Sequence, residues 1–534
     1  MHRPVIAILL DAWEPAWIER WFAEGHLPTL ARLHAESARV PLHGVHPFTG
    51  ELPTHALLTS TYPAKAGYWG AFDYDRARCA PLYVRAYDYG EIRSFFDYTP
   101  GLAVCQFDLP KAGLARVAAG IQVLNWGAHG SLNPSISNPP EIFGELVRKY
   151  GLHPALEQDH LEPWQTAELD LLYEKLHDGV RLRSAVHRDL LSREAWDLFL
   201  ACYSEVHSAA HCFMHLEDPD YTLIGDGPTG HRMLALARAV DRSIADLLAA
   251  APPDASIAVF SVHGMVRNGW DIDTMYILPE LLHRIAFPER SRPPAGALPP
   301  PSTGAWYWAD QVWDATFGNT RPKPAMSEGI NWVPASWYAS DWPQMDAFAL
   351  PGLDEGMVRL NVRGRDRFGR VAPADYEARL VEVARAIAGL RDARSGRALV
   401  NRFFRTRFDP LADGPELPPA DLIVEWNQEP CDVADSPRVG RIGPVPLRRT
   451  GGHSRNGFAW FRDPRLPAGN RPAATPYDIG PTLLAMIGTE PPPHLDGCSL
   501  LGDVPARTDR SLFVELDPGA MPQPPLADDA RYVG

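Results

Sequence analysis

Cysteine is nearly missing from this sequence: six in 534 residues (Cys79, Cys105, Cys202, Cys212, Cys431, Cys498), scattered and without Cys-x-x-Cys spacing. That excludes a disulfide framework and a cysteine-based zinc ribbon. Long apolar runs are also lacking, and no segment approaches the roughly 20 residues of a helical membrane span. Positive charge is in deficit, with 51 Lys and Arg against 66 Asp and Glu and a net charge of −15. There is therefore no basic footprint for duplex nucleic acid. A small anionic substrate remains compatible, because a local metal site can outweigh the mean field. The sequence holds no internal repeat and no low-complexity tract. The opening apolar run, Val5 to Leu10, is too short for a signal peptide and lacks a small-residue cleavage site, so a cytoplasmic location is expected. Oligomeric state is not legible.

What is present is ordinary for a globular enzyme: 45% hydrophobic and 22% charged residues. The length suggests one large elaborated domain or two to four smaller ones. Buried strands are expected at Val5 to Leu10, at residues 196–204 around Leu198 to Cys202, and at Ala255 to Ser261, each a continuous β-prone apolar run. A half-exposed strand is expected at Met357 to Val362, and another strand at Leu422 to Glu425. Helical periodicity covers residues 15–38 in two pieces split by Gly25 and Pro28, and then 54–59, 142–150, 164–191, 233–248, 375–390 and 477–484. This alternation predicts an α/β fold with a largely parallel central sheet flanked by helices. Residues 73–190 read as an inserted helical segment or lid, residues 286–350 as an irregular cap, and Gly451 to Gly457 as a loop.

The chemistry concentrates at the ends of these strands. Asp11 closes the first strand, where open α/β sheets place ligands, although a helix N-cap is the equal alternative. His207 and His211 stand four residues apart after Tyr203, on one helical face or at a strand mouth, so both rings can address one ion. His263 follows the 255–261 strand, and His453 lies in the 451–457 stretch. A carboxylate and four imidazoles suit Zn²⁺, with Mn²⁺ or Fe²⁺ as alternatives, better than Mg²⁺ or Ca²⁺. Thr49, Gly50 and Glu51 precede a helix whose first turn holds Pro53, so this loop faces a helix N-terminus that favours anions.

Taken in order, these pieces resemble the alkaline phosphatase superfamily, in its type I phosphodiesterase/nucleotide pyrophosphatase branch. The resemblance rests on the strand ending in Asp11, the helix at Glu24 to Ala38, Leu52-Pro53-Thr54-His55 with Thr59 and Pro63, and Glu205-x-His207-x-x-x-His211. It continues through Val262-His263-Gly264-Met265, Gly452-His453-x-x-x-Gly457 and the segment Asp478 to Leu500. It implies an alkaline-phosphatase-like fold and a hydrolase of phosphoesters or phosphodiesters, or of phosphonates or sulfates, with two divalent ions. One ion would be held by His207, His211 and His453, with His207 where the family has Asp. The other would be held by Asp11 and His263, with Val262 where the family has a second Asp.

At the family's hydroxyl nucleophile position this chain has Glu51. The simplest physical account makes Glu51 a ligand, restoring the charge lost at Val262; a covalent nucleophile is the alternative, and a salt-bridged or capping carboxylate the bland one. If Glu51 is a ligand, a metal-activated water is the expected nucleophile. Thr49 and Thr54 are further candidate nucleophiles should the loop register differ. Glu205 could orient a metal-binding ring or be a surface carboxylate, while His55 and His215 read as helix-surface residues. Lys65, Arg267, Asn268 and Arg455 are weaker candidates for substrate contact. Diversion of the same fold to non-hydrolytic biosynthetic chemistry and a degenerate metal-binding scaffold are the competing functions.

Overall fold

The structure is a computed structural model describing residues 3–50, 52–84, 92–115, 119–127, 134–156, 166–218, 221, 223, 231–290, 297–304, 307–502 and 513–518. Glu51 lies outside the described residues.

Five short apolar runs pair side by side and all parallel, in the order Ser256–Ser261, Val5–Leu10, Leu198–Tyr203, Ala103–Phe107, Ala119–Leu124. Side chains alternate across a strand, and Val5–Leu10 shows the consequence. Val5, Ala7 and Leu9 enter one hydrophobic core, and Ile6, Ile8 and Leu10 enter the other. Every residue of this strand is buried, which is why it reads as unbroken apolar sequence.

The sheet is completed by Asn456–Arg462, antiparallel between Ser256–Ser261 and Ala38–His43, then by Gly469–Asn470 at that edge. Ile136–Asn138 closes the other edge. The helices Glu205–Glu217 and Arg232–Ala250 supply Val206, Ala210, Phe213, Leu236 and Val240 to the core on one face, and Ile479–Met486 packs on the opposite face through Ile479 and Leu483. A second sheet, antiparallel throughout, is ordered Ala347–Leu350, Gly356–Leu360, Leu422–Trp426, Val400–Arg405, Val514–Leu516.

Two expectations need correction. Residues 73–190 do contain the long helix Thr166–Leu191, yet they also give three strands of the central sheet, so the stretch helps to build the scaffold. Its strands are short and follow Pro- and Gly-rich turns, which hides their period. The stretch 451–457 is not a loop. Gly451–Ser454 pairs antiparallel with Gly264–Arg267, and the chain turns at Arg455 straight into Asn456–Arg462. Among the described residues, no helix is long and apolar enough to cross a membrane.

Candidate metal centre at the sheet edge

Parallel strands deliver their C-terminal ends to one edge, and an antiparallel strand delivers its N-terminal end there. Asp11 and His263 follow Val5–Leu10 and Ser256–Ser261, His207 and His211 lie in the helix entered from Leu198–Tyr203, and His453 precedes Asn456–Arg462. Topology alone therefore gathers all five.

Within that cluster, His207 Nε2 lies 2.9 Å from His211 Nε2 and 3.1 Å from His453 Nε2. His207 and His211 are one helical turn apart on Glu205–Glu217, with rings 4.8 Å apart. The opposite ring nitrogens face oxygen. His211 Nδ1 lies 2.7 Å from the Gly451 carbonyl, and His207 Nδ1 lies 2.8 Å from Asp11 Oδ2. A carbonyl can only accept, so His211 Nδ1 carries the hydrogen and its Nε2 presents a lone pair. The Asp11 carboxylate imposes the same tautomer on His207. Lone pair then faces lone pair at 2.9 Å, a contact that either a shared proton or a bound cation relieves. These three ligand atoms lie within 4.8 Å of one another. Burial, followed by the charge of neighbouring groups, holds His453 and His263 well below the usual imidazole range, so both are neutral. Neutral imidazoles are nitrogen donors of zinc-type sites, and an oxygen behind Nδ1, as at His207 and His211, fixes which nitrogen is left to bind.

Backbone packing holds His453 in place. A side chain at Gly451 would put Cβ 2.1 Å from the Ala210 carbonyl, and one at Gly452 would put it 2.6 Å from the Trp270 ring. The two glycines let the strand press against the helix that carries His207 and His211. Glu14, buried three residues after Asp11, accepts from Ser454 Oγ at 2.6 Å and Asn456 Nδ2 at 3.1 Å. It also packs against Gly264, where a Cβ would lie 2.2 Å from Oε2. One carboxylate thus ties together the segments that follow Asp11, His263 and His453.

The family model for type I phosphodiesterase / nucleotide pyrophosphatase matches residues 5–407. The chain belongs to this family. It is accordingly a hydrolase of the phosphoester type, in the alkaline phosphatase superfamily. No curated protein matches it in sequence. Among solved structures it is similar to phosphonoacetate hydrolase from Sinorhizobium meliloti 1021 in complex with phosphonoformate, at 14% identity and TM-score 0.48, over 91% of this chain and 96% of that one. It is also similar to human ectonucleotide pyrophosphatase / phosphodiesterase 5, at 10% identity and TM-score 0.46, over 92% and 96%.

Against the phosphodiesterase pattern, the remaining candidates fall as follows. Asp11 Oδ1 is 3.6 Å from His263 Nε2, so Asp11 lies between His207 and His263. Val262 is apolar and buried. Thr49 gives both its backbone N–H (2.8 Å) and its hydroxyl (2.9 Å) to Glu355 Oε1. Thr54 is buried within the helix Leu52–Thr59. Glu205 is neither at the surface nor turned toward the histidines. It is buried against Arg183 Nε at 2.6 Å and His153 Nε2 at 3.2 Å. Burial alone would raise its pKa, but the Arg183 guanidinium outweighs this and holds it at about 2. His55 and His215 are likewise buried rather than on the surface. Arg267 pairs with Asp218 and Glu429, Lys65 with Asp496, and Arg455 with Glu425. Asn268 donates to the Arg449 carbonyl.

Sequence reasoning passed over two neighbouring carboxylates, Asp354 and Glu355, in the turn between Ala347–Leu350 and Gly356–Leu360. Both are buried, and burial raises both their pKa values. Their only mark in the sequence is an acidic pair in a Pro- and Gly-flanked turn.

Proposed function

We propose that His207, His211 and His453 hold a divalent cation, with Zn²⁺ fitting the three-imidazole donor set best, and that the protein uses it to hydrolyse a small anionic phosphoester or phosphodiester, or a related phosphonate or sulfate. The observation that carries this reading is the convergence of three Nε2 atoms, two of them, on His207 and His211, belonging to rings whose other nitrogen faces an oxygen. Such an ion supplies Lewis acidity, polarising a phosphoryl oxygen and acidifying a water. The chain's own part is to hold that charge rigidly. Asp11 sets the tautomer of His207, the Gly451 carbonyl sets that of His211, and the buried surroundings strengthen electrostatics toward a developing oxyanion. A second ion, as the family resemblance implies, would take Asp11 and His263, with Glu51 completing the set in the absence of a carboxylate at Val262.

Metal analysis with turnover assays tests this. Purified protein should contain one or two ions per chain, lose hydrolysis of bis(p-nitrophenyl) phosphate or p-nitrophenyl phosphate on chelation, and regain it with Zn²⁺ or Mn²⁺. His211→Ala should lower kcat/KM by roughly 10²–10³-fold, the scale of losing an electrostatic stabiliser of the transition state. Full turnover after exhaustive chelation, or wild-type turnover in His211→Ala, would refute the reading. Two ions per chain would support the Asp11–His263 position, and one would confine the metal to the three histidines.

A further inference from the structure

Of the three rings in the proposed metal centre, two have their outward nitrogen fixed by an oxygen at hydrogen-bond distance. The third, His453, has a buried Nδ1 with no hydrogen-bond partner. The acceptor beside it is Asp354 Oδ1, 3.5 Å away. Asp354 reaches this spot from the turn of the second sheet, and its placement is over-determined. Oδ1 accepts from the Trp270 indole N–H at 2.9 Å, and the Asp354 carbonyl accepts from Thr274 Oγ1 at 3.1 Å. Oδ2 lies against Gly50, where an added Cβ would sit 2.0 Å from it and 3.7 Å from His453 Nδ1. The next residue, Glu355, binds both the N–H and the hydroxyl of Thr49. Glu355 therefore holds Thr49, while Asp354 lies against Gly50 and beside the outer nitrogen of the His453 ring.

We infer that Asp354 is a positioning residue of this centre: its carboxylate accepts the Nδ1 hydrogen of His453, directs Nε2 at the ion, and raises the basicity of that ligand. It is the third oxygen of a set whose other members are Asp11 and the Gly451 carbonyl. This rests on the proposal that the three histidines bind metal. A burial argument supports it independently. An imidazole N–H enclosed without an acceptor is costly, and a displacement of well under 1 Å turns 3.5 Å into an ordinary charge-assisted bond. Oxygen partners behind a metal-bound imidazole are worth about 10–100-fold in affinity. The same argument gives residue 50 a reason to be glycine, because any side chain there would evict the carboxylate.

The test compares the full chain with Asp354→Asn, Gly50→Ala and His211→Ala. Zn²⁺ affinity is read by competition with a chromophoric chelator, the visible spectrum of the Co²⁺-loaded protein reports ligand geometry, and metal-free protein gives Tm. Asp354→Asn keeps the side-chain volume and an acceptor for Trp270, and should weaken Zn²⁺ binding about 10–100-fold and shift the Co²⁺ bands, with metal-free Tm unchanged. Gly50→Ala should weaken binding in the same direction, which keeps the proposal testable should Asp354→Asn fold poorly. Unchanged Zn²⁺ affinity and an unchanged Co²⁺ spectrum in both variants would overturn the role of Asp354. Affinity lost only in step with metal-free Tm would reduce it to packing and overturn it too. If His211→Ala binds Zn²⁺ as tightly as the parent, the three-histidine centre itself fails, a result distinguishable from the other two.

Discussion

At the scale of single residues, buried histidines differ in what stands behind the ring. His207 and His211 have a ring nitrogen fixed by an oxygen, whereas His187 is fully buried with neither nitrogen hydrogen-bonded and is enclosed by Phe107, Phe199 and Tyr203. Burial, and next the Arg183 charge, lowers its pKa from 6.5 to about 3. Burial does the same at His55, which stacks on Tyr68. Such a group binds fewer protons when folded than when unfolded between pH 6.5 and about 3. Its contribution is therefore intact above pH 6.5 and is lost as pH falls through that window, by at most about 1.4 kcal/mol per pH unit. His187→Leu removes one of these acid-sensitive groups without stranding a partner. Denaturant titrations from pH 7 to pH 4 should give a shallower loss of stability in the variant, with equal or greater stability at pH 7. A parallel acid limb in both proteins would contradict the assignment. In the sequence nothing marks His187, and His55 reads as a surface residue, since an imidazole beside apolar residues carries no mark of which way its ring faces. Only the third dimension separates an imidazole with an oxygen behind it from one with rings around it.

At the scale of elements, the ribbon formed by Gly264–Arg267 and Gly451–Ser454 decides whether the histidines can meet. Sequence supplied the residue, His453, but not the conformation, because two glycines, a His and a Ser carry a turn signal and no β signal. What makes the segment a strand is tertiary. Thr450 N–H donates to the His211 carbonyl at 2.9 Å, and Gly451 is pressed against the helix backbone. Backbone on both sides cannot yield to a methyl group, so Gly451→Ala should push the ribbon off the helix and break the His211 Nδ1 contact. A Zn²⁺ affinity at least tenfold weaker and a lower Tm are expected from chelator competition and thermal melts. Gly502→Ala, where an added Cβ meets nothing within 4 Å, is the matched control and should change neither. Equal behaviour of the two variants would mean that the close approach at Gly451 has no bearing on the centre. The carboxylate of Glu14 acts on the same ribbon from the other side, and Glu14→Gln, which retains one acceptor, should be milder than Glu14→Ala.

At the scale of the whole molecule, the parallel centre of the sheet was legible because strands buried on both faces must be apolar throughout, and the ligand-type residues at their ends followed from that. The 103–107 and 119–124 strands and the second sheet's reach into the site were not, since strand length and irregular connections erase a period-2 signal, and because the contact of Asp354 with Gly50 joins segments 304 positions apart. The assembled site draws on Asp11, the 207–211 turn, His263, Asp354 and His453. An ion bound by the three histidines would join the helix Glu205–Glu217 to the strand Gly451–Ser454 and would stabilise the native state alone, since the unfolded chain has no such cluster. Linkage then gives a stabilisation of RT ln(1 + [M]/Kd), about 2.7 kcal/mol at a free metal concentration of 100 Kd. Thermal melts with Zn²⁺ buffered at that level and with excess chelator should differ by a few degrees at most for a chain of this size, and the difference should rise with the logarithm of free Zn²⁺. In His207→Ala or His453→Ala the dependence should vanish while the metal-free Tm stays near that of the parent. A parent Tm indifferent to chelator across that range would mean that the three imidazoles converge for some reason other than metal.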